Sequence, residues 1–489
     1  MSATLTMEEP PRARLSAIDL AIGHWIISRG STAGDPLPSA SQDEPTPSKA
    51  KGEWIKEASC HATMFIAGFS DASSGPLIPY IQRKFDVSYT VVSMLFVGQA
   101  VGFLISAGSM YFIVSRLGLG KAIAIGAALQ ALAYTFLIPG FAFAAFPVFY
   151  AVSGFGMALQ DSMANVFVAS LPNADRKLGY LHASYGLGAA LCPLAATAFA
   201  SHYPSHFTKF WCISLAIALM NLGILLYAFK FNYVLDADEP IQPPSSPREE
   251  VELEAQTPPL ATDASSLKSF SASTPQTAYP PEMRTDGLRK VKGKEEPSVL
   301  RQALLNRTTI LASIFILFYV GSEVSMGGWI VTFLIEDRGG GSSAGYVATG
   351  FWLGLTVGRA VLNPVNRLIG EKRIVYVYLA LALALEFAVW FADSLIGNAV
   401  TVSIVGVIIG PLYPIMMSLM TKLLARKLHG PAIAFTAAFG QVGSAVFPFV
   451  TGALAQRFSP AVLQPVLVVL FGVQFVLWFF VPDVVRKKE

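Results

Sequence analysis

Twelve long apolar stretches constrain this chain more than any other feature. A helix rises about 1.5 Å per residue, so about 20 such residues cross a hydrocarbon core roughly 30 Å thick. The stretches fall near residues 58–81, 88–113, 120–139, 142–170, 178–201 and 207–232, and again near 306–335, 343–365, 371–392, 395–424, 430–455 and 461–482. In lipid every backbone polar group must be satisfied within its own segment, so each stretch predicts a helix. Of the 489 residues 53% are apolar and only 14% charged, which excludes an ordinary soluble domain.

The two sets of six are related by an internal repeat. Gly68-Phe-Ser-Asp71-Ala-Ser-Ser-Gly75 on the first stretch has a counterpart in Gly321-Ser-Glu323-Val-Ser325-Met-Gly327 on the seventh, and 323 less 71 is 252. At the same offset Gly154 answers to Gly406, and at 255 residues Gly188-Ala-Ala-Leu-Cys-Pro193 answers to Gly443-Ser-Ala-Val-Phe-Pro448. Three matches in order at nearly one spacing indicate a parallel repeat of the kind transporters use. The expected fold is therefore an all-α polytopic membrane protein with twelve transmembrane helices in two pseudo-symmetric six-helix halves.

The remaining segments read as connectors. Residues 1–57 and 233–303 are rich in Ser, Pro, Thr and charge and are expected to be disordered, flanking bundles at 58–232 and 304–482, with a short tail at 483–489. The short loops on one side carry Arg116, Lys121, Arg176, Lys177, Arg367, Lys372, Arg373, Lys422, Arg426 and Lys427, so that side and both termini are expected in the cytosol. The basic run from Arg289 to Lys294 ends the linker on that side. Cys60, Cys192 and Cys212 lie in or beside apolar stretches without ligand spacing, so neither a disulfide framework nor a metal or other cofactor is expected.

Polar residues inside such stretches mark function, because an aspartate at mid-membrane costs roughly 3 kcal/mol on insertion scales. Asp71 falls near the middle of the first stretch, amid the helix-breaking residues Gly68, Gly75, Pro76 and Pro79. The fourth carries Gln160, Asp161 and Asn165, the last two sharing a face at i and i+4. Asp71 and Asp161 are the candidates for taking up a proton; the plain alternative for each is a packing aspartate bonded to a neighbouring helix. His182 and Tyr185 share a face of the fifth stretch, His182 as a candidate proton relay or a neutral hydrogen-bonding group. Glu323 repeats Asp71, and Tyr413 repeats Asp161, since 161 plus 252 is 413. Gln160, Asn165, Tyr185, Glu323, Trp329, Tyr413 and Gln441 complete the candidate solute contacts. Arg359 is expected near the cytosolic edge, snorkelling or pairing structurally, and Glu386 on the helix periphery. Gln99, Gln130 and Asn221 read as interhelical glue.

With these residues on the page, the chain resembles the major facilitator superfamily from residue 58 onward. The turn Ser115-Arg116-Leu-Gly118-Leu-Gly-Lys121 and its partner Asn366-Arg367-Leu-Ile-Gly370-Glu-Lys372 resemble the superfamily's loop between its second and third helices, departing from it by carrying Ser115 and Asn366 where the pattern has aspartate. Gly68-Phe-Ser-Asp71, Gly154-Phe-Gly156-Met-Ala-Leu-Gln-Asp161 and Leu181-His-Ala-Ser-Tyr185-Gly186 are most similar to the fucose-permease-like branch and its fungal members. That resemblance implies proton coupling and sugar binding through an acid on the first helix and an acid on the fourth, here Asp71 and Asp161.

The expected function is secondary active transport of a small polar solute such as a sugar or polyol, coupled to protons and working by alternating access. The partners are the solute, protons and the lipid bilayer, with no nucleic acid; the chain is expected to act as a monomer, in the plasma membrane or an internal one. An exporter of a metabolite or toxin would share every helix, and a nutrient sensor would bind solute without moving it. No nucleophile with its base, metal cluster or phosphate loop points to an enzyme.

Overall fold

A computed structural model of the protein describes residues 47–230 and 299–483. The leader up to residue 46, most of the linker with its basic run, and the last six residues of the tail lie outside the described residues. The described part is helical throughout, and it crosses the membrane twelve times.

The first span is two helices, Pro47–Asp71 and Ser74–Phe85, so it begins ahead of the stretch expected from Ala58 to Ile81. Pro76 has no N–H to return to the carbonyl four residues back, and the helix ends at Asp71 before restarting. The second span is Tyr89–Val92 with Met94–Leu117, the third Leu119–Leu137, the fourth Ala145–Ala169, the fifth Ala174–His202 and the sixth Trp211–Phe229. In the second half they are Arg307–Glu336, Tyr346–Val361 with Asn363–Ile369, Glu371–Phe391, Leu395–Ile409 with Leu412–Leu423, His429–Arg457 and Leu463–Phe480.

Nine of these spans are long and apolar enough to cross a membrane on composition alone. The first, fourth and eighth fall short. They hold Asp71, the Gln160-Asp161-Asn165 group and Arg359. Each of these three spans carries a charge into the bundle, where neighbouring helices shield it, as spans seven and nine also do with Glu323 and Glu386.

The repeat seen in the sequence is a repeat of packing. Spans one and five, two and four, and three and six pack together, as do seven and eleven, eight and ten, and nine and twelve. At the first two crossings of each half the repeated glycines do the same thing. A Cβ on Gly154 would collide with the carbonyl of Gln99, and one on Gly406 with that of Phe351; Gly188 meets Phe65 and Gly443 meets Leu317 in the same way. The carbonyl partners, 99 and 351 or 65 and 317, are again 252 apart. Only a residue without a side chain lets the backbones approach so closely. The turns after spans two and eight also match, with Gly118 at φ 76° and Gly370 at φ 94°, a left-handed conformation that glycine adopts without strain. These turns lie at one end of the bundle, the motif end.

The halves meet toward the other end, the far end. Tyr89 donates its backbone N–H to Gln456 Oε1 at 2.9 Å, and its ring stands edge-on to Trp329 with centroids 6.0 Å apart. Gly75 rests on the carbonyl of Gly327, Phe96 on Gly328, and Ser93 on Gly452. Nearer mid-membrane, Gly186 of span five packs against Thr356 of span eight.

Candidate functional site

Asp71 is the last residue of the first helix, so its side chain projects where the span breaks. Tyr185 donates its hydroxyl to Asp71 Oδ2 at 2.6 Å, and Gln99 Nε2 donates to Oδ1. Spans one, two and five therefore converge on one carboxylate. It is only half-buried. Asp161 lies within electrostatic reach of Asp71, and its Oδ1 accepts from Asn165 Nδ2 at 2.9 Å, the i, i+4 pair expected from the sequence.

The second half presents an ion pair. Arg359 donates from one nitrogen to both oxygens of Glu323, at 3.2 and 3.1 Å, and lies 3.4 Å from the Tyr319 hydroxyl. Arg359 thus turns inward from span eight, not out to the membrane edge, because Glu323 one span away offers a charge-matched partner at less cost than lipid. Tyr413 stacks obliquely on Tyr319, with centroids 6.1 Å apart, and faces Asp161, Arg359 and Glu323. The Gly186–Thr356 contact brings the two groups to a common seam, since Tyr185 precedes Gly186 and Arg359 follows Thr356 by about one turn.

The structure thus brings together Asp71, Asp161, Asn165, Tyr185, Glu323 and Tyr413, with His182 exposed one turn away from Tyr185 on span five. Gln441 is half-buried on span eleven, where Ser444 hydrogen-bonds its carbonyl at 2.8 Å. Gln160 does not join the group: it turns into the first half, donating to Gln130 Oε1 and accepting from Asn221 Nδ2, each at 3.0 Å. Trp329 stands at the far end, fully buried with its indole N–H donating to the Pro448 carbonyl at 2.9 Å. A tryptophan spent on a backbone carbonyl and a tyrosine edge fastens helices together and offers no face to a solute.

Two residues gain a place that sequence reasoning did not give them. Gln99, read as interhelical glue, does link span two to span one, and the group it holds there is Asp71. Arg359, expected to snorkel or pair structurally, pairs, and its partner is Glu323. Depth counted along one helix shows how far a residue sits from the edge, but its rotation toward a partner depends on how the helices pack. Among the described residues no group of His, Cys, Asp and Glu is arranged to hold a metal ion.

Known proteins share this architecture. The E. coli Fucose:proton symporter FucP, in a crystal structure of a variant, covers 88% of this chain and 100% of its own with a TM-score of 0.53 at 16% identity. FucP in the outward conformation covers the same shares with a TM-score of 0.56 at 15% identity. In sequence, Bypass of stop codon protein 6 of Saccharomyces cerevisiae is 24% identical over 462 residues, 89% of this chain and 84% of its own. A Glucose/galactose transporter of Brucella abortus is 23% identical over 435 residues, 82% of this chain and 89% of its own. The family model of the Major Facilitator Superfamily matches residues 61–448 and 311–489. With its two six-helix halves, paired glycine crossings and repeated Gly118 and Gly370 turns, this integral membrane chain belongs to the Major Facilitator Superfamily.

Proposed function

We propose that the protein is a proton-coupled transporter of a hexose or related polyol, working by alternating access between its halves. One observation carries this reading: Arg359 and Glu323 neutralise each other, while Asp71 and Asp161 have no ion-pair partner among the described residues. Two neighbouring carboxylates without a cation are costly to enclose when a membrane cavity closes. A proton removes that cost, so closing the cavity becomes tied to proton binding.

The same groups suit a polyhydroxylated solute. Asn165, Tyr185 and Tyr413 supply hydroxyl and amide contacts, Gln441 a further amide, and the Arg359–Glu323 pair presents donors and acceptors together. Two of the similar proteins, a fucose:proton symporter and a glucose/galactose transporter, favour sugars as the class. The basic loops at the motif end support a cytosolic position for that end and for both termini.

The test is uptake by purified protein in liposomes of labelled D-glucose, D-galactose and L-fucose, with and without an inward proton gradient. Gradient-driven accumulation of one of these, lost in Asp71→Asn and in Asp161→Asn, is the expected result. Uptake that ignores the gradient, or survives in both variants, removes proton coupling through these residues.

A further inference from the structure

Gradient-driven accumulation makes a demand on the return step. Once solute and proton have left, the emptied carrier must swing back without the proton, and it then encloses a bare carboxylate at the seam. A cation supplied by the chain itself meets that demand.

Arg359 is built to supply it. Its Nη2 makes both bonds to Glu323 and approaches the Tyr319 hydroxyl, and its Nε lies 3.4 Å from the Gly410 carbonyl. Nη1 has no hydrogen-bond partner among the described residues, and the side chain is 25% exposed where that of Glu323 is 9%. A guanidinium presents its N–H groups as a rigid fork, so one arm can hold Glu323 while the other takes a second acid. Tyr185, which donates to Asp71, and Tyr413, which faces Asp161, both lie within electrostatic reach of Arg359.

The packing across the seam gives the direction of movement. Spans five and eight run antiparallel and touch at two points, Thr197 with Gly345 and Gly186 with Thr356, and 197 less 186 equals 356 less 345. Each contact seats a threonine on a glycine, a strip along which the two halves can tilt. Tyr185 and Arg359 lie on the motif-end side of the second contact, next to Gly186 and about one turn beyond Thr356. His182, a turn further toward the motif end, is exposed. Closing the motif end about this strip therefore carries Arg359 toward Tyr185 and Asp71.

We propose that Arg359 carries the return of the emptied carrier: its free Nη1 crosses the seam to the deprotonated Asp71 while Nη2 keeps Glu323, so that one guanidinium bridges the two halves. The inference rests on the proton-coupled reading above. Asp71, half-buried at the break in span one, has by then given its proton to the water of the open motif end, and Arg359 keeps all of its own. A carboxylate is a stronger acceptor than a carboxylic acid, so the bridge forms after proton release and yields when Asp71 is protonated again. The other charged and titratable groups facing the bridge are Tyr185 and His182 on span five, Asp161 on span four, Tyr319 on span seven and Tyr413 on span ten. Asp161 keeps Asn165 as its donor throughout.

The experiment uses the full chain in liposomes, with the sugar that the parent takes up best among D-glucose, D-galactose and L-fucose. Net downhill efflux, which needs the empty carrier to return, is measured beside sugar-for-sugar exchange at equal pH, which does not. Arg359→Lys keeps a cation for Glu323 but has a single nitrogen and no second arm. Exchange registers any lost solute contact, so the ratio of efflux to exchange is what reads the return step. That ratio is expected to fall about tenfold or more in Arg359→Lys. Combined with Asp71→Asn it is expected to match Asp71→Asn alone, because a neutral side chain needs no cation. Spin labels at Leu117 and Leu368, exposed at the motif end of opposite halves, read the same step without transport and decide where a variant moves no sugar. The short-distance population of the sugar-free protein is expected to shrink in Arg359→Lys and to reappear when Asp71→Asn is added. A parent-like ratio or parent-like label distances in Arg359→Lys, or the same loss with Asp71→Asn present, overturns the bridge while leaving proton coupling in place. A parent whose uptake ignores the gradient overturns both the coupling and the bridge.

Discussion

The Tyr185 hydroxyl lies 2.6 Å from Asp71 Oδ2, joining span five to the break in span one. A hydrogen bond to a charged acceptor contributes about 1.5–3 kcal/mol, more than most contacts in the seam. Tyr185→Phe is therefore expected to slow proton-driven uptake by roughly tenfold to a hundredfold with little effect on the yield of folded protein. In an Asp71→Ala background the same change is expected to add nothing. Sugar-for-sugar exchange at equal pH, measured beside proton-driven uptake in both single variants and the double variant, checks this, and an undiminished Tyr185 effect on exchange in that background would separate Tyr185 from Asp71.

Arg359 and Glu323 form a partly buried pair in which each strands the other when removed. Glu323→Gln or Arg359→Met alone is expected to destabilise the protein by about 3–5 kcal/mol. The double variant Glu323→Leu with Arg359→Met is expected to recover most of that loss, yet to transport poorly. Thermal unfolding in detergent, set beside liposome uptake, reads the two effects independently. Recovery of transport together with stability would show that the pair has a packing role alone.

Closure at the far end depends on a backbone contact between Gly75 and Gly327. Gly75→Ala places a methyl group against that carbonyl, with no flexible side chain to yield, and is expected to hold the halves apart there. Spin labels at Phe141 and Phe458, both exposed on far-end loops of opposite halves, report the separation. A broader and longer distance distribution in the variant is expected, together with loss of uptake. Gly223, with open space around it, supplies the control: Gly223→Ala should change neither.

Glu386 on span nine is fully buried, and neither of its oxygens has a hydrogen-bond partner. Replacing an unsatisfied buried acid with an apolar side chain of similar length removes its desolvation cost. Glu386→Met is expected to raise stability by about 1–3 kcal/mol with uptake unchanged. The midpoint of thermal unfolding measures the first and liposome uptake the second. A loss of uptake would give Glu386 a role that its place away from the seam does not suggest.

The sequence alone determined the helical class, the halves and their register. Those follow from run length and from the 252-residue offset, and both are local or periodic properties of the chain. It also singled out Asp71, Asp161 with Asn165, and Glu323 as candidates, since a carboxylate inside an apolar run is conspicuous without knowledge of its neighbours. It did not show which way each polar side chain turns. Gln160 and Asp161 are adjacent in sequence, yet one enters the glutamine network of the first half and the other faces the seam. Trp329 shares a helix with Glu323 but fastens the far end, while Gln99 and Arg359 belong to the site. Those assignments were decided by tertiary packing, because a helix's rotation and the partner opposite it are set by glycine crossings between segments far apart in the chain.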